Sequence, residues 1–350
     1  MASLVSQPGL TKVGSEPLEV DELPPSRKPP SIPRQLLSNH LSQTGFIILA
    51  LFALIALLAP VLAPPLPRAR DPMKIPRDGF GNVPEPPGTT WERNPPPLPF
   101  WWEPLTGLDH WVHPFGVASG GWDIYYGVIW GTRTAFVAGI VITFFTVVIG
   151  VMVGTLSAFY GGKVDLLVQR VTEVFMAFPF LVAAMTAATL LQPLIGGKAG
   201  IGSAGLLTAT IAIIIFGWMG YSRLIRGDIL SVRERDYVMA ARAVGARDRN
   251  IMLKHIIPNA IFPTLVVASL DIGTYVITFA ALSFLGLGAE PGFADWGQLI
   301  SFARNWITTL DQYWYIVFFP SLALVLFVLA WNLVGDAVRD VMDPRSRKTR

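Results

Sequence analysis

Groups able to do chemistry are few and widely spaced in this 350-residue chain. It contains no glycine-rich phosphate loop ending in Gly-Lys-Ser/Thr, no His-Glu-x-x-His helix and no Gly-x-Ser-x-Gly elbow. The nearest fragments, Gly161-Gly162-Lys163 and Gly196-Gly197-Lys198, lack both the outer glycine spacing and the following hydroxyl, and read as turns between spans. There is no cysteine, which excludes disulfides, thiol catalysis and Cys-based metal sites. The histidines, His40, His110, His113 and His255, do not pair at ligand spacing on a predicted helix, so no metal is expected. What remains is one carboxylate and one charged segment. Asp271 falls inside a long apolar run, where an ionisable group is costly enough to mark function by default. It either lines a path through the membrane or pairs with a neighbouring helix.

The charged segment is Tyr237–Asn259, YVMAARAVGARDRNIMLKHIIPN. Tyr237, Ala240, Ala241 and Val244 recur at the i, i+3, i+4, i+7 spacing of one helix face, flanked by Arg242, Arg247, Asp248, Arg249 and Lys254. Small side chains at Ala240, Ala241, Ala243 and Gly245 let a partner come close to the backbone, and the arginines offer charge-assisted contacts at the rim. Gly245 allows a turn before a second short helix, with Asp248 a candidate N-cap. Pro258 is expected to end that helix and aim the chain back into the membrane. The segment is therefore either a docking elbow for another protein or an amphipathic helix lying on a leaflet with its arginines facing lipid phosphates.

The elements around these groups are membrane spans. Hydrophobic residues make up 52% of the chain and charged ones only 15%, and the mean hydropathy is +0.50. Soluble domains carry roughly 25% charge. Six apolar runs are long enough to cross a hydrocarbon core of about 30 Å. They cover residues 44–63, 134–159, 168–191, 205–222, 262–284 and 313–335, so both termini share a side. Eighteen Lys and Arg lie in the segments on that side and seven on the other, which places both termini in the cytoplasm. The net charge of +3 is read as topology rather than as affinity for nucleic acid. The first run ends in a faint imitation of a signal-peptidase site at Val61-Leu62-Ala63. A long polar lead and Pro64 oppose cleavage, so it is kept as a span.

Expected organisation follows from these runs. Residues 1–43 form a disordered cytoplasmic tail, 44–63 the first span and 64–131 an extracytoplasmic loop with its lead-in. Residues 132–335 form a five-helix core with a cytoplasmic loop at 223–261, and 336–350 a cytoplasmic tail. Gly150 and Gly154 suit close helix contact. Pro179 should kink the third span by removing a backbone donor. Arg170 and Glu173, one turn apart, can neutralise each other. The segment Pro64–Pro114 holds 14 prolines and Trp91, Trp101, Trp102 and Trp111 without helical or strand period. It is expected to be extended, partly polyproline-like chain capping the outer face. A docking role for it predicts that deleting residues 66–110 abolishes partner-dependent transport while leaving assembly intact.

The elbow resembles the cytoplasmic loop of ABC-importer permeases. Their pattern Glu-Ala-Ala, three residues, Gly, nine residues, Ile-x-Leu-Pro is matched by Met239-Ala240-Ala241, Gly245 and His255-Ile256-Ile257-Pro258. The departures are Met239 for an acidic residue, His255 for isoleucine and Ile257 for leucine. The wording Ala240-Ala241-Arg242-Ala243-Val244-Gly245, with His255-Ile256-Ile257-Pro258-Asn259, is similar to the C-type permeases of the dipeptide, oligopeptide and nickel importer family. The likeness extends over residues 113–345. It includes His113-Pro114-Phe115-Gly116, Tyr160-Gly161-Gly162-Lys163-Val164-Asp165, Ala177-Phe178-Pro179, Leu282-Ser283-Phe284-Leu285-Gly286-Leu287-Gly288 and Asn332-Leu333-Val334-Gly335-Asp336. Phe279 stands where that family often has an acidic residue, and Gly120-Gly121-Trp122-Asp123 where Gly-Arg-Asp is common.

The resemblance implies an all-α polytopic membrane protein with six transmembrane helices in the type I permease fold of ABC importers. It implies no enzyme activity of its own and no directly bound cofactor, ATP and Mg belonging to partner ATPase subunits. The implied partners are a paralogous second permease, two cytosolic ATP-binding subunits, an extracytoplasmic substrate-binding protein and the lipid bilayer of the cell inner membrane. Tyr237, Met239, Ala240, Ala241, Arg242, Gly245, Ala246, Asp248, His255 and Pro258 would form the ATPase-coupling surface. Phe178, Pro179 and Asp271 are candidate pathway residues. The cargo would be a dipeptide or oligopeptide, or alternatively a nickel chelate, a glycan or an antimicrobial peptide. A secondary transporter fits poorly, since internal repeats are absent and buried charges few. A membrane-anchored scaffold would need neither kinked spans nor the elbow.

Overall fold

The computed structural model describes residue 36 and residues 39–67, 71–93, 95–195 and 203–342. The expected N-terminal tail, the Gly196-Gly197-Lys198 turn and the basic C-terminal end therefore lie outside the described residues, apart from the last few positions before 343. Helix α1 (His40–Leu62) starts on Asn39, whose side chain accepts from the Leu41 N–H at 3.1 Å. An irregular segment follows, with the short helix α2 (Trp102–Thr106) and a hairpin of β1 (Val117–Ala118) and β2 (Trp122–Asp123). Then come α3 (Ile124–Tyr160), α4 (Gly162–Met176), α5 (Phe180–Ile195) and α6 (Ser203–Val232). The elbow is α7 (Asp236–Ala243) and α8 (Asp248–Ile251), joined by a π turn over Met252–Ile256 to α9 (Ile257–Phe284). The chain closes with α10 (Trp296–Ser301), a 3₁₀ stretch Phe302–Thr309, α11 (Leu310–Tyr313) and α12 (Tyr315–Met342).

Among the described residues, α1, α3, α6, the run Asp248–Phe284 and α12 are each long and apolar enough to cross a membrane. The pair α4 and α5 passes the same test only when taken together, as a sixth span broken between its halves. That third span departs from its expected form. It does not run through 168–191 with a kink, but breaks at residues 177–179 with its halves at 91°. The missing N–H of Pro179 explains the break. Ala177 and Phe178 close the last turn of α4 on Glu173 and Phe175, and α5 restarts when the Ala183 N–H reaches the Pro179 carbonyl.

α3 packs most extensively on α6, α9 on α12, and α1 on α12. Gly150 and Gly154 set the first of these contacts. A Cβ on Gly150 would meet the Trp218 carbonyl at 2.7 Å, and one on Gly154 the Ser222 backbone at 3.0 Å. α1 is peripheral: only 17% of its most apolar window is buried, against 39% for α3. Arg133 holds it there. Arg133, just ahead of the expected second span, lies within α3, which starts at Ile124 because Asp123 caps the Tyr126 N–H at 2.7 Å. Its Nε donates to the Ala56 carbonyl and its Nη2 to that of Leu57 at 3.2 Å. Ala56 lies four residues before Pro60, which has no N–H to donate to it. A cation in one span thereby satisfies a carbonyl orphaned in another, which lipid could not do.

The proline- and tryptophan-rich segment is not extended chain lying over the bundle but a packed part of it. Trp111 and Trp102 bury against each other with ring centroids 4.3 Å apart, and Trp111 also meets Tyr125 and Tyr126 of α3. Each such indole removes about 200 Å² from water, worth roughly 5 kcal/mol before entropy is counted. The backbone is tied in as well. Ile75 N–H donates to Gly292 at 2.8 Å, Ala294 N–H to Met73 at 2.8 Å, and Glu85 exchanges bonds with Val117. Deletion of residues 66–110 would remove Ile75, Trp91 and Trp102 from one core cluster, so assembly is not expected to survive it.

The same cap contains a closed polar cluster. His113 is fully buried, with Nδ1 2.5 Å from Asp123 Oδ2 and Nε2 3.2 Å from Asp78 Oδ2. Only an imidazolium can donate to both carboxylates. Burial opposes that charge, but hydrogen bonds and attraction from Asp123, then Asp78, outweigh it and raise the His113 pKa above its ordinary value. Asp78 also accepts from the Glu92 and Arg93 N–H groups at 2.8 and 2.7 Å. This cluster ties the loop to the capped start of α3.

Candidate functional site

The elbow is anchored from behind and open in front. Val238, Ile251 and Ile256 are buried against Ala158 and Phe159 of α3 and Ile225 and Ile229 of α6, with Ala241 and Ala246 half-buried beside them. The face turned outward is the small and apolar one. Tyr237 is 40% exposed, Met239 52% and Val244 82%, and Ala240, Arg242, Ala243 and Gly245 are exposed with them. Membrane lipid and a protein partner are the two ways to cover such a surface. The Arg242 guanidinium lies 5.3 Å from the Phe159 ring, which orients α7 on the end of α3. Arg233 donates to the Ala158 carbonyl at 2.7 Å, and Arg226 holds Asp165 at the start of α4 through two bonds of 2.6 Å.

Gly245 has φ +77°, in the left-handed region, and a Cβ there would meet nothing within 4 Å. The turn therefore needs glycine for its backbone, and the space above it is free. Two sequence expectations are corrected. Asp248 is not the N-cap of α8: Arg247 holds that position without a side-chain bond, and the Asp248 carboxylate sits exposed in the first turn. Pro258 does not end a helix either. It lies where the π turn Met252–Ile256 hands over to α9, and the helix runs through it without a break. His255 is half-buried in that turn, and its carbonyl accepts from the Asn259 amide at 2.7 Å. The whole run Asp248–Phe284 is thus one 37-residue helical rod.

The second site is a cavity of about 480 Å³ at the break between α4 and α5, walled by α6 and α9. Such a volume suits a small organic ligand. Phe178 and Asp271 line it, whereas Pro179 shapes it by making the break and contributes no wall. The Tyr221 hydroxyl donates to Asp271 Oδ2 at 2.6 Å, and the Tyr275 hydroxyl to the Gly217 carbonyl at 3.3 Å. Of the alternatives read from the sequence, the bond to a neighbouring helix is present, and Asp271 also lines the cavity. Sequence reasoning missed Tyr221 and Tyr275. The usable signal was that a tyrosine hydroxyl inside a span must find a partner. It also missed the Asp165–Arg226 pair, while Arg170 and Glu173 do meet, at 3.0 Å and exposed.

Comparison with known proteins follows the same outline. Residues 146–348 match the family model described as binding-protein-dependent transport system inner membrane component. Residues 32–87 match the N-terminal TM domain of oligopeptide transport permease C, so the likeness also reaches the first span and the start of the cap. The dipeptide transport system permease protein DppC of Alkalihalophilus pseudofirmus is 31% identical over 316 residues, covering 90% of this chain and 89% of its own. The glutathione transport system permease protein GsiD of Pectobacterium atrosepticum is 36% identical over 240 residues, 67% of this chain and 73% of its own. Among solved structures, a chain of the MetNI methionine ABC transporter in inward facing conformations aligns with a TM-score of 0.49 at 21% identity, over 62% of this chain and 96% of its own. With a bent third span, a glycine-turned elbow and matches over both parts of its length, the chain belongs to the binding-protein-dependent transport system inner membrane component family, as a C-type permease of the ABC importers.

Proposed function

We propose that this permease forms half of the pathway through which an ABC importer passes dipeptides or oligopeptides, and that its elbow receives the stroke of separate ATPase subunits. The peptide reading is supported by relatives named for dipeptide and glutathione transport. The other half of the pathway would come from a paralogous permease, and cargo from an extracytoplasmic binding protein. ATP and Mg would sit on the two ATPase subunits. The chain would lie in the cell inner membrane with both termini and the elbow in the cytoplasm, in keeping with the arginines around Gly245.

One observation carries the coupling role: elbow and cavity share a single rod. α8, the π turn and α9 run unbroken, so Asp248 and Asp271 are roughly 35 Å apart along one helical axis. ATPase closure pushing on the exposed face of α7 displaces a rod whose far part lines the cavity, and cavity access changes with it. A helix lying on a leaflet needs no such connection. The test is Gly245→Glu in the complete importer reconstituted in vesicles. Uptake is expected to fall at least tenfold with membrane insertion unchanged, and wild-type uptake would contradict the coupling role. Co-purification of an ATPase with the wild-type chain separates this reading from a secondary transporter or a scaffold.

A further inference from the structure

The cavity has a chemistry of its own. Its walls include Phe175, Phe178, Phe180, Phe216, Tyr221 and Tyr275, and Asp271 is the single carboxylate among the lining residues, which include no Lys, Arg or His. Among the described residues no cation forms an ion pair with Asp271. One oxygen, Oδ2, takes the Tyr221 hydroxyl at 2.6 Å; the other accepts no bond from a described residue, and the side chain is only half-buried. A carboxylate placed within a span without a counter-ion is costly, and a helix-to-helix tie could be made by a neutral amide or hydroxyl at far less cost. Acid and aromatic faces around one space make the arrangement that binds an organic ammonium, the carboxylate by charge and hydrogen bond and the rings by their quadrupoles. The Tyr221 bond fixes which oxygen remains open.

We infer that Asp271 and the aromatic walls form a recognition point for a protonated amine on the cargo, such as the α-ammonium group of a peptide, so that the permease itself discriminates by charge after the binding protein has released its load. This rests on the pathway reading above. A cargo entering amine first exchanges the water on its ammonium for the Asp271 oxygen and the ring faces. Asp271 rides on the same rod as the elbow, so the stroke that changes access also moves the recognition point.

This chain has no cysteine, so labelling followed on this subunit alone reports a single introduced thiol. Thr274 lines the cavity one helical turn from Asp271 and is exposed to it. A Thr274→Cys variant is assembled into the complete importer and its labelling rate measured with two methanethiosulfonates of similar size, one ending in an ammonium and one in a sulfonate. The cationic reagent is expected to be favoured, and Asp271→Asn to lower the cation-to-anion rate ratio at least fivefold, with Asp271→Glu keeping it. If both reagents label Thr274→Cys and the ratio is the same with Asp271→Asn, the ammonium site is overturned while the pathway reading stands. If neither reagent reaches Thr274→Cys in any nucleotide state, the cavity is not on a solvent path and the pathway reading fails first.

Discussion

The cap and the elbow both interrupt the apolar runs with charged residues, yet they end in opposite physical states. In the cap, three tryptophans and the Asp78–His113–Asp123 cluster turn inward and backbone bonds stitch the chain to α3 and to the segment before α10. In the elbow, Val238, Ile251 and Ile256 are the buried anchors, and Ala240, Ala243 and Gly245 turn outward. The cap has a buried core of its own, although Phe80, Phe100 and Leu105 on it stay exposed. The elbow leaves its small side chains uncovered. Bulk and burial, more than local conformation, tell an interior loop from a docking one.

Three changes would break or sharpen that contrast. The largest effect is expected from His113→Ala, which leaves two buried carboxylates facing each other without their cation. Breaking a buried pair in this way costs about 3–5 kcal/mol, and thermal unfolding of the purified protein should show it; an unchanged midpoint would mean the cluster does not hold the cap. Next comes a matched pair of glycines. Gly116 and Gly245 have φ of +82° and +77°, so alanine at either carries a left-handed penalty of about 1–2 kcal/mol. At Gly116 the added Cβ also meets the Glu85 carbonyl at 2.6 Å and the Tyr315 ring at 2.8 Å, whereas at Gly245 it meets nothing. Overpacking adds roughly 1–3 kcal/mol, so Gly116→Ala should destabilise clearly more than Gly245→Ala. Equal losses in unfolding would deny the difference in packing.

The smallest effect is the response to pH. Because the folded pKa of His113 is raised, the stability it contributes is complete below its unfolded value of about 6.5 and is lost as pH rises through the folded value. Alkaline conditions should lower the unfolding midpoint of the wild type more than that of His113→Gln. Parallel curves for the two proteins would show that the imidazolium is not the group responsible.

Legibility in the sequence divided along the same line. The spans could be read, because a bilayer demands about 20 apolar residues whatever they touch, and α1, α3, α6, α9 and α12 cover the expected runs. Their ends were less legible. α3 begins ten residues early because Asp123 caps it beneath the cap, a contact no periodicity reveals. The break at residues 177–179 was foreseen as a kink, since Pro179 announces a missing donor but not the angle that its neighbours permit. Trp91, Trp102 and Trp111 carry no period at all; their burial is set by Tyr125, Tyr126 and other distant partners. At the candidate site, the elbow motif and Asp271 stood out, while Tyr221, fifty residues from its acceptor, could be placed only by the fold.

The link between Arg133 and the carbonyl left open by Pro60 bears on how the protein is made. When α1 leaves the ribosome its Ala56 oxygen has no mate, and the guanidinium that answers it is encoded 77 residues later. Until α3 is made, that oxygen is left to water or to another donor, so the first span reaches its final bonding only once the second has joined it.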